Sequence, residues 1–140
     1  MEARLLTGKE GFKALLEDVL KEGKDWLIIG ATGKSVLVLP SFSVQIQKKR
    51  ERAGIPARYL LYDTPLARKR GPEWAGQKRS EIRYMSKGFD SPITIYIYGN
   101  KSAILLWTED KPLAVMVDDP RVAEGFRKYF EFLWEMFKPK

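Results

Sequence analysis

Two hydrophobic periodicities alternate along this chain, and their alternation constrains its fold most strongly. Residues 9–22 carry one apolar stripe at helical spacing, which ends at Gly23 and comprises Phe12, Leu15, Leu16, Val19 and Leu20. Residues 26–29 then form a continuous apolar run, which is typical of a strand buried on both faces. A similar run follows at 57–62. Strands that alternate with helices favour a sheet covered by helices.

The rest of the chain adds strands, a hairpin and more helices. The further predicted elements are a strand at 4–7, a helix at 35–53 that kinks at Pro40 and ends at Gly54, a strand at 81–85, strands at 94–98 and 101–107, a strand at 113–117, and a last helix from Pro120 to about residue 137. Residues 36–39 alone also have strand propensity. Gly99 and Asn100 predict the two-residue turn of a hairpin, and residues 109–112 predict the next turn.

Local signals define where two helices start and where one loop lies. Asp119 before Pro120 predicts an N-cap, and Asp63 or Thr64 before Pro65 predicts the cap of a short helix. Residues 66–78 are basic and are interrupted by glycine and proline, which indicates an irregular loop. The chain is therefore predicted to be one α/β domain over residues 1–140, with a mixed sheet flanked by helices.

Composition excludes several classes of function. The sequence has no cysteine and no histidine, so disulfides, thiol chemistry, the commonest zinc ligand and every Ser–His or Cys–His nucleophile are absent. No acidic pair suggests catalysis, and we expect no enzyme, no metal and no cofactor. No apolar run reaches the ~18 residues of a spanning helix, and no signal peptide is evident, so a cytoplasmic location is expected. Few amides and 31% charged residues are typical of a heat-adapted protein.

The positive charge is regional. Residues 48–83 hold eleven basic and four acidic side chains, a balance of +7, and the remainder of the chain is neutral. This stretch is interpreted as a solvated surface, as a pocket for an anionic or polyhydroxyl ligand, or as a nucleic-acid contact. The nucleic-acid candidates are Arg68, Lys69, Arg70, Lys78 and Arg79.

A glycine-containing turn at 30–35 follows a predicted strand and opens a predicted helix. Ligands in open α/β sheets gather outside the carboxyl ends of strands, so this turn favours contact with a polar or anionic ligand. A Walker A loop is excluded because Ile28 occupies the position of its first glycine. The alternative is a tight turn without a ligand. The candidate ligand contacts are Thr32, Gly33, Lys34, Ser35, Asp63 and Arg83.

The last helix carries a second apolar strip beside its main one. One helix on one sheet needs a single apolar face, so the second strip suggests a homodimer interface or packing on another domain. Deep burial within a single chain is the alternative. The association candidates are Tyr129, Phe132 and Met136.

Short segments at 2–12, 26–34, 81–84, 91–92, 96–104 and 126–134 together span nearly the whole chain. They resemble the regulatory domain of TrmB-type archaeal transcriptional regulators. The resemblance implies one half of a phospholipase-D-like fold and, in sugar-responsive members, a part in effector binding. It also implies a winged helix and a coiled coil, neither of which is expected within residues 1–140. The catalytic His and Lys of the phospholipase-D-like motif would fall at Pro92 and Thr94, so that chemistry is not expected.

These observations predict a non-enzymatic effector-sensing and association domain of a transcriptional regulator. Its expected ligand is a sugar or an anion bound at strand ends. Its expected partner is a second copy or a DNA-binding regulator domain, supplied in the same chain or by another. Nucleic-acid binding through residues 48–83 and a purely structural dimerisation domain are the alternatives.

Overall fold

A computed structural model of the chain describes residues 1–108 and 111–139. Its elements in chain order are β1 (Glu2–Thr7), α1 (Gly8–Glu22), β2 (Trp26–Ala31), α2 (Lys34–Val38), α3 (Pro40–Ala53), β3 (Ala57–Leu61), α4 (Pro65–Ala75), β4 (Ser80–Tyr84), β5 (Ile93–Tyr98), β6 (Lys101–Trp107), β7 (Pro112–Asp118) and α5 (Pro120–Met136). The turn predicted at 109–112 lies partly outside the described residues. No helix in the described part is long and apolar enough to cross a bilayer.

The strands form one seven-stranded mixed sheet, which confirms the predicted fold class. Its spatial order is β1-β7-β6-β5-β2-β3-β4. β2, β3 and β4 pair in parallel, whereas β1, β7, β6, β5 and β2 pair antiparallel in succession. The carboxyl ends of β2, β3 and β4 therefore meet the amino end of β5 at one edge of the sheet.

Helices cover the two faces of the sheet unequally. α1, α3 and α4 pack on one face, through a core that includes Phe12, Leu15, Ile46 and Trp74. Among the described helices, only α5 lies on the other face, where Phe130 and Trp134 pack against Leu27, Leu60 and Ile97. The strands alternate their side chains between these two cores because successive residues of a strand point to opposite faces.

The predicted helix ends are confirmed. Gly23 and Gly54 both adopt the left-handed conformation that ends a helix, with φ of 67° and 72°. The Asp119 carboxylate accepts the Arg121 amide at 2.8 Å and caps α5. The Thr64 hydroxyl accepts the Ala67 amide at 3.3 Å and caps α4. The Gly99–Asn100 turn joins β5 to β6 as predicted.

The irregular loop predicted at 66–78 is wrong, because most of this segment forms α4. Ala67, Gly71 and Trp74, spaced i, i+4 and i+7, are its buried residues. Trp74 stacks on Tyr59 with ring centroids 5.0 Å apart. A side chain at position 71 would collide with the hydroxyl of Tyr84, so the glycine permits this close packing. Tertiary contacts thus hold the segment helical despite Pro72 inside it.

The helix predicted at 35–53 is divided into α2 and α3. Leu39 leaves the helical region with φ of −137° and ψ of 72°, and Pro40 is the first residue of α3. The residue before a proline avoids the α region because the proline ring clashes with it. A break therefore replaces the predicted kink.

Candidate ligand site at the carboxyl ends of the parallel strands

An open crevice of about 610 Å³ lies at the edge where β2, β3 and β4 end and β5 begins. Three segments line it: the turn after β2, the start of α4 after β3, and the loop before β5. Its lining residues are Thr32, Lys34, Tyr62, Thr64, Pro65, Leu66, Asp90, Ser91 and Pro92. This volume is in the range of small-molecule sites, which span ~300–1,000 Å³.

Tyr62 lines the crevice and is held in place by hydrogen bonds to the residues before and at the start of β5. Its hydroxyl donates to the Ile93 carbonyl at 2.5 Å and lies 2.8 Å from the Ser91 hydroxyl. Burial raises the pKa of Tyr62, so the neutral phenol is favoured. The ring lies against Gly30, where the pairing of β2 with β3 shifts register and φ is 80°. A Cβ at Gly30 would come within 2.5 Å of this ring, which explains the glycine.

The turn after β2 brings several predicted ligand residues together. The Lys34 amide donates to the Thr32 hydroxyl at 3.0 Å, and both residues line the crevice. Gly33 has φ of 89° and packs against α4. A Cβ at this position would lie 3.1 Å from the Leu66 side chain. The Ser35 carbonyl accepts the Ser43 hydroxyl at 3.0 Å, which anchors α2 to α3.

Gly33 and Ser35 also line a narrow, partly open cavity of about 40 Å³ between the sheet and the helices. Its walls include the aromatic side chains of Trp26, Tyr59, Trp74, Tyr96 and Trp107. Trp26 Nε1 and the Tyr59 hydroxyl are buried there without a hydrogen-bond partner among the described residues. Gln47 also lines this cavity, and its side-chain oxygen accepts from Arg50 Nε at 2.8 Å. This cavity has room for only a few water-sized groups.

Asp63 and Arg83, the other two predicted ligand residues, lie apart from the crevice. The Asp63 carboxylate binds Arg68 Nε at 2.9 Å, and this hydrogen bond lowers the pKa of Asp63. The Arg68 guanidinium in turn lies over the Tyr84 ring at 3.6 Å. Arg83 points to the opposite face of the sheet, where it donates to the Trp134 carbonyl at 2.5 Å and stacks on the Trp134 ring. Arg83 thus holds α5 to β4.

Pro92 and Thr94, where the phospholipase-D-like motif would have its His and Lys, have other roles. Pro92 lines the crevice. Thr94 is buried; its hydroxyl donates to the Gly30 carbonyl at 2.7 Å and accepts from Trp107 Nε1 at 2.9 Å. Both hydrogen bonds hold Thr94 within the core.

The structure divides the basic stretch into buried, paired and exposed members. Arg50 is fully buried. Of the predicted nucleic-acid residues, Arg68 pairs with Asp63, and Arg70 lies 3.4 Å from Glu73. Lys69, Lys78 and Arg79 are exposed. The exposed positive surface is therefore smaller than the sequence predicts.

The predicted association residues all face outward on α5. Tyr129, Phe132 and Met136 are 65%, 67% and 52% exposed. The neighbouring sheet residues Leu5, Ile104 and Val115 are also exposed and were not predicted from the sequence. The crevice residues Tyr62, Thr64, Asp90 and Ser91 were not predicted as ligand contacts either. The position of Tyr62 and Thr64 after a strand could have indicated them, whereas no local pattern marks Asp90 and Ser91.

Comparisons with known proteins identify the fold. No family model matches the chain, and no curated protein matches it. Among solved structures, the chain is similar to TrmBL2, an archaeal chromatin protein with a novel mode of DNA binding, at 18% identity and a TM-score of 0.66. The match covers 99% of this chain and 54% of TrmBL2, so the chain spans about half the length of that protein.

Two further solved structures match over almost their whole length. NucT from Helicobacter pylori has 10% identity and a TM-score of 0.69, over 96% of both chains. Nuc from Salmonella typhimurium, a phospholipase D family member, has 12% identity and a TM-score of 0.62, over 98% of this chain and 96% of that one. The chain therefore has the phospholipase-D-like α/β fold that the sequence predicts, the fold it shares with TrmBL2.

Proposed function

We propose that the chain is a non-enzymatic domain of a TrmB-like, DNA-associated regulator, which binds a small polar or anionic ligand in the crevice and associates through α5. The crevice itself carries the proposal. It lies at the carboxyl ends of parallel strands, where α/β folds bind ligands, and a lysine and several hydroxyl groups line it.

The crevice side chains suit a ligand with oxygen acceptors. Lys34 supplies a cation, and Thr32, Thr64 and Ser91 supply hydroxyl groups that can donate or accept. A sugar, a sugar phosphate or a carboxylate has matching chemistry. Gly33 and Ser35 support this surface through the turn, whereas Asp63 is paired with Arg68 beside it. Arg83 lies outside the proposed site.

Binding without turnover is supported by the motif positions. Proline has no side-chain base or nucleophile, and the Thr94 hydroxyl is engaged in the core. The sequence has no histidine to act in their place.

The loop before β5 connects the crevice to α5. Asp90 and Ser91 line the crevice, and the adjacent Phe89 packs edge-to-face on Phe137 at the end of α5, with ring centroids 5.3 Å apart. A ligand that favours one position of this loop would change the packing of α5, because a ligand shifts an equilibrium only by its differential affinity.

The denaturant midpoint of the chain tests the ligand proposal. Guanidinium unfolding is followed with sugars, sugar phosphates, carboxylates and short DNA duplexes. A specific ligand at about a hundred times its dissociation constant adds about 2.7 kcal/mol. We expect Lys34→Ala to remove this shift and Lys21→Ala, which removes the same charge from the far end of α1, to keep it. An equal shift in both variants would contradict the proposal.

DNA contact is the second candidate function, favoured by the similarity to TrmBL2 over 99% of this chain. Lys69, Lys78 and Arg79 are exposed on α4 and the following turn. If they bind phosphates, replacing all three with alanine should weaken DNA binding and reduce its dependence on salt. The matched control replaces Lys9, Lys21 and Lys138. Equal effects of the two triple variants would indicate non-specific charge attraction.

A further inference from the structure

The exposed side of α5 carries a seam with coiled-coil spacing. Gly125, Tyr129, Phe132 and Met136 follow one another at intervals of four, three and four residues, which places them on one side of the helix. The three large side chains are mostly exposed. A seam of this kind packs against another helix, and no other helix of the described chain lies on this face of the sheet.

Gly125 fits a close approach of a second helix. A Cβ at this position would meet nothing within 4 Å, so packing inside the chain does not require glycine there. A glycine in a helix interior costs about 1 kcal/mol relative to alanine. On the seam, the missing side chain lets a second backbone come near.

Charges beside the seam are complementary for an antiparallel arrangement. Lys128 and Glu135 are exposed and flank the seam on the same side. Neither makes an ion pair within 4.0 Å with the described residues, whereas Glu131 binds Arg58 at 2.6 Å and Arg127 binds Glu124 at 3.2 Å. Two copies of α5 can pack antiparallel, with Tyr129 opposite Phe132 of the partner subunit. In this arrangement Lys128 faces Glu135 of the partner subunit, and Glu135 faces Lys128 of the partner subunit.

The sheet beside α5 offers an apolar surface to such a partner. Ile29, Ile95, Ile104, Val115 and Leu5 are cross-strand neighbours in one row. Ile29 and Ile95 lie under the edge of α5, in an apolar groove of about 350 Å³ that Tyr129 and Phe132 also line. Ile104, Val115 and Leu5 continue the row into solvent.

The area of the seam indicates that the sheet row takes part. Aromatic side chains bury ~150–250 Å² each, so Tyr129 and Phe132, at about two-thirds exposure, offer about 130 Å² each. A stable interface needs about 800 Å² per partner. The seam alone is too small, whereas the seam together with the groove and the sheet row forms a larger continuous surface.

We infer that two copies of this chain form a homodimer in which the α5 helices pack antiparallel about a two-fold axis, each covering the sheet row of its partner. This inference deepens the association part of the proposed function and does not depend on the ligand. A two-fold interface uses the same patch on both copies, so each complementary pair occurs twice.

Sedimentation equilibrium of the ligand-free chain tests the dimer, with circular dichroism to verify folding. We expect a concentration-dependent mass that reaches the dimer, and a monomer for Phe132→Asp. Glu135→Lys should raise the dimer dissociation constant about tenfold, since two exposed ion pairs become repulsive. The control Glu17→Lys makes the same charge change on α1 and should leave the mass unchanged.

A charge swap tests the antiparallel geometry. Lys128→Glu combined with Glu135→Lys should restore the dissociation constant, because both pairs re-form with reversed signs. A wild-type monomer at several hundred micromolar, or a dimer that these α5 variants leave intact, would overturn the inference, and a swap that fails to rescue would overturn the antiparallel arrangement. Ligand-induced stabilisation is measured separately on the Phe132→Asp monomer, which keeps the crevice within one subunit, so failure of the dimer does not count against the ligand proposal.

Discussion

At the scale of single residues, Arg50 is a cation that stabilises the core without a carboxylate partner among the described residues. Nε donates to Gln47 Oε1, Nη1 to the carbonyls of Ile55 and Lys78, and Nη2 to Gln77 and Ser80. The side chain thus joins the end of α3 to the turn between α4 and β4.

Arg50→Met is therefore expected to destabilise the chain by about 3 kcal/mol, because it leaves buried carbonyl groups without a donor. The neighbouring Arg52 is exposed, and Arg52→Met should change the free energy of unfolding by less than about 0.5 kcal/mol. Guanidinium unfolding of the two variants measures the difference. Equal stability of the two would show that the Arg50 hydrogen bonds contribute nothing.

Buried phenols make the stability depend on pH above 10. Burial is the main cause that raises the pKa of Tyr59 to about 12, and it also raises the pKa values of Tyr96 and Tyr98. Since the folded pKa lies above the unfolded value of ~10, the stabilisation from each phenol is complete below pH 10 and is lost as the pH rises through the folded pKa.

We expect the free energy of unfolding to fall from pH 10 to pH 12, and the absorbance of these phenolates to appear together with unfolding. Tyr59→Phe should reduce this fall in the free energy of unfolding between pH 10 and pH 12. Titration of all six tyrosines near pH 10 in a chain that stays folded would contradict the expectation.

Residue roles could be predicted from sequence where a local motif defines them. Asp119 and Thr64 are examples, because a capping side chain binds an amide two or three residues away. The burial of Arg50 could not be predicted, since its partners Lys78 and Ser80 are about 30 residues away and depend on how α3 meets β4. The orientation of Arg83 toward Trp134 depends in the same way on the position of α5.

At the scale of elements, α4 is a helix that tertiary packing stabilises although its local sequence disfavours a helix. Ala67, Gly71 and Trp74 form a buried face at helical spacing, while Gly71 and Pro72 favour a break. The periodicity was present in the sequence, but glycine and proline outweighed it in the prediction. The packing of Trp74 on Tyr59 reverses that balance in the folded chain.

Pro72→Ala is expected to stabilise the chain by about 1–2 kcal/mol. Alanine restores a helical hydrogen bond and relieves the clash of the proline ring, and the greater freedom of the unfolded chain offsets part of that gain. Pro120→Ala is the matched control, because proline at the first position of a helix is already favourable. Thermal or guanidinium unfolding distinguishes them. A loss of stability in Pro72→Ala would show that the proline is accommodated without strain.

At the scale of the whole molecule, the two faces of the sheet have different roles. The face under α1, α3 and α4 is closed by the main core, and the face under α5 is only partly covered. The sequence predicted the mixed sheet and the order of elements, because each rests on local periodicity. It could not predict that β1 pairs with β7, or that Asp90 and Ser91 line the same crevice as Lys34, because both arrangements bring distant segments together.

The proposed ligand site and the proposed dimer interface meet through one aromatic contact, which gives a prediction about their coupling. Phe89 lies between the crevice residue Asp90 and the end of α5, against Phe137. If this contact transmits the ligand signal, ligand and dimer must alter each other's affinity by the same factor, since coupling is reciprocal. Such factors are typically about 5- to 150-fold.

Phe89→Ala should bring the coupling factor close to one while leaving ligand binding by the monomer and the ligand-free dimer unchanged. Val44→Ala, which truncates a comparably exposed apolar side chain on α3, should keep the wild-type factor. Sedimentation equilibrium with and without ligand, and ligand titration below and above the dimer dissociation constant, measure the factor from both directions. A Phe89→Ala chain with the wild-type factor would show that the signal reaches α5 through the sheet, for which the strand row from Ile29 to Leu5 offers the continuous route.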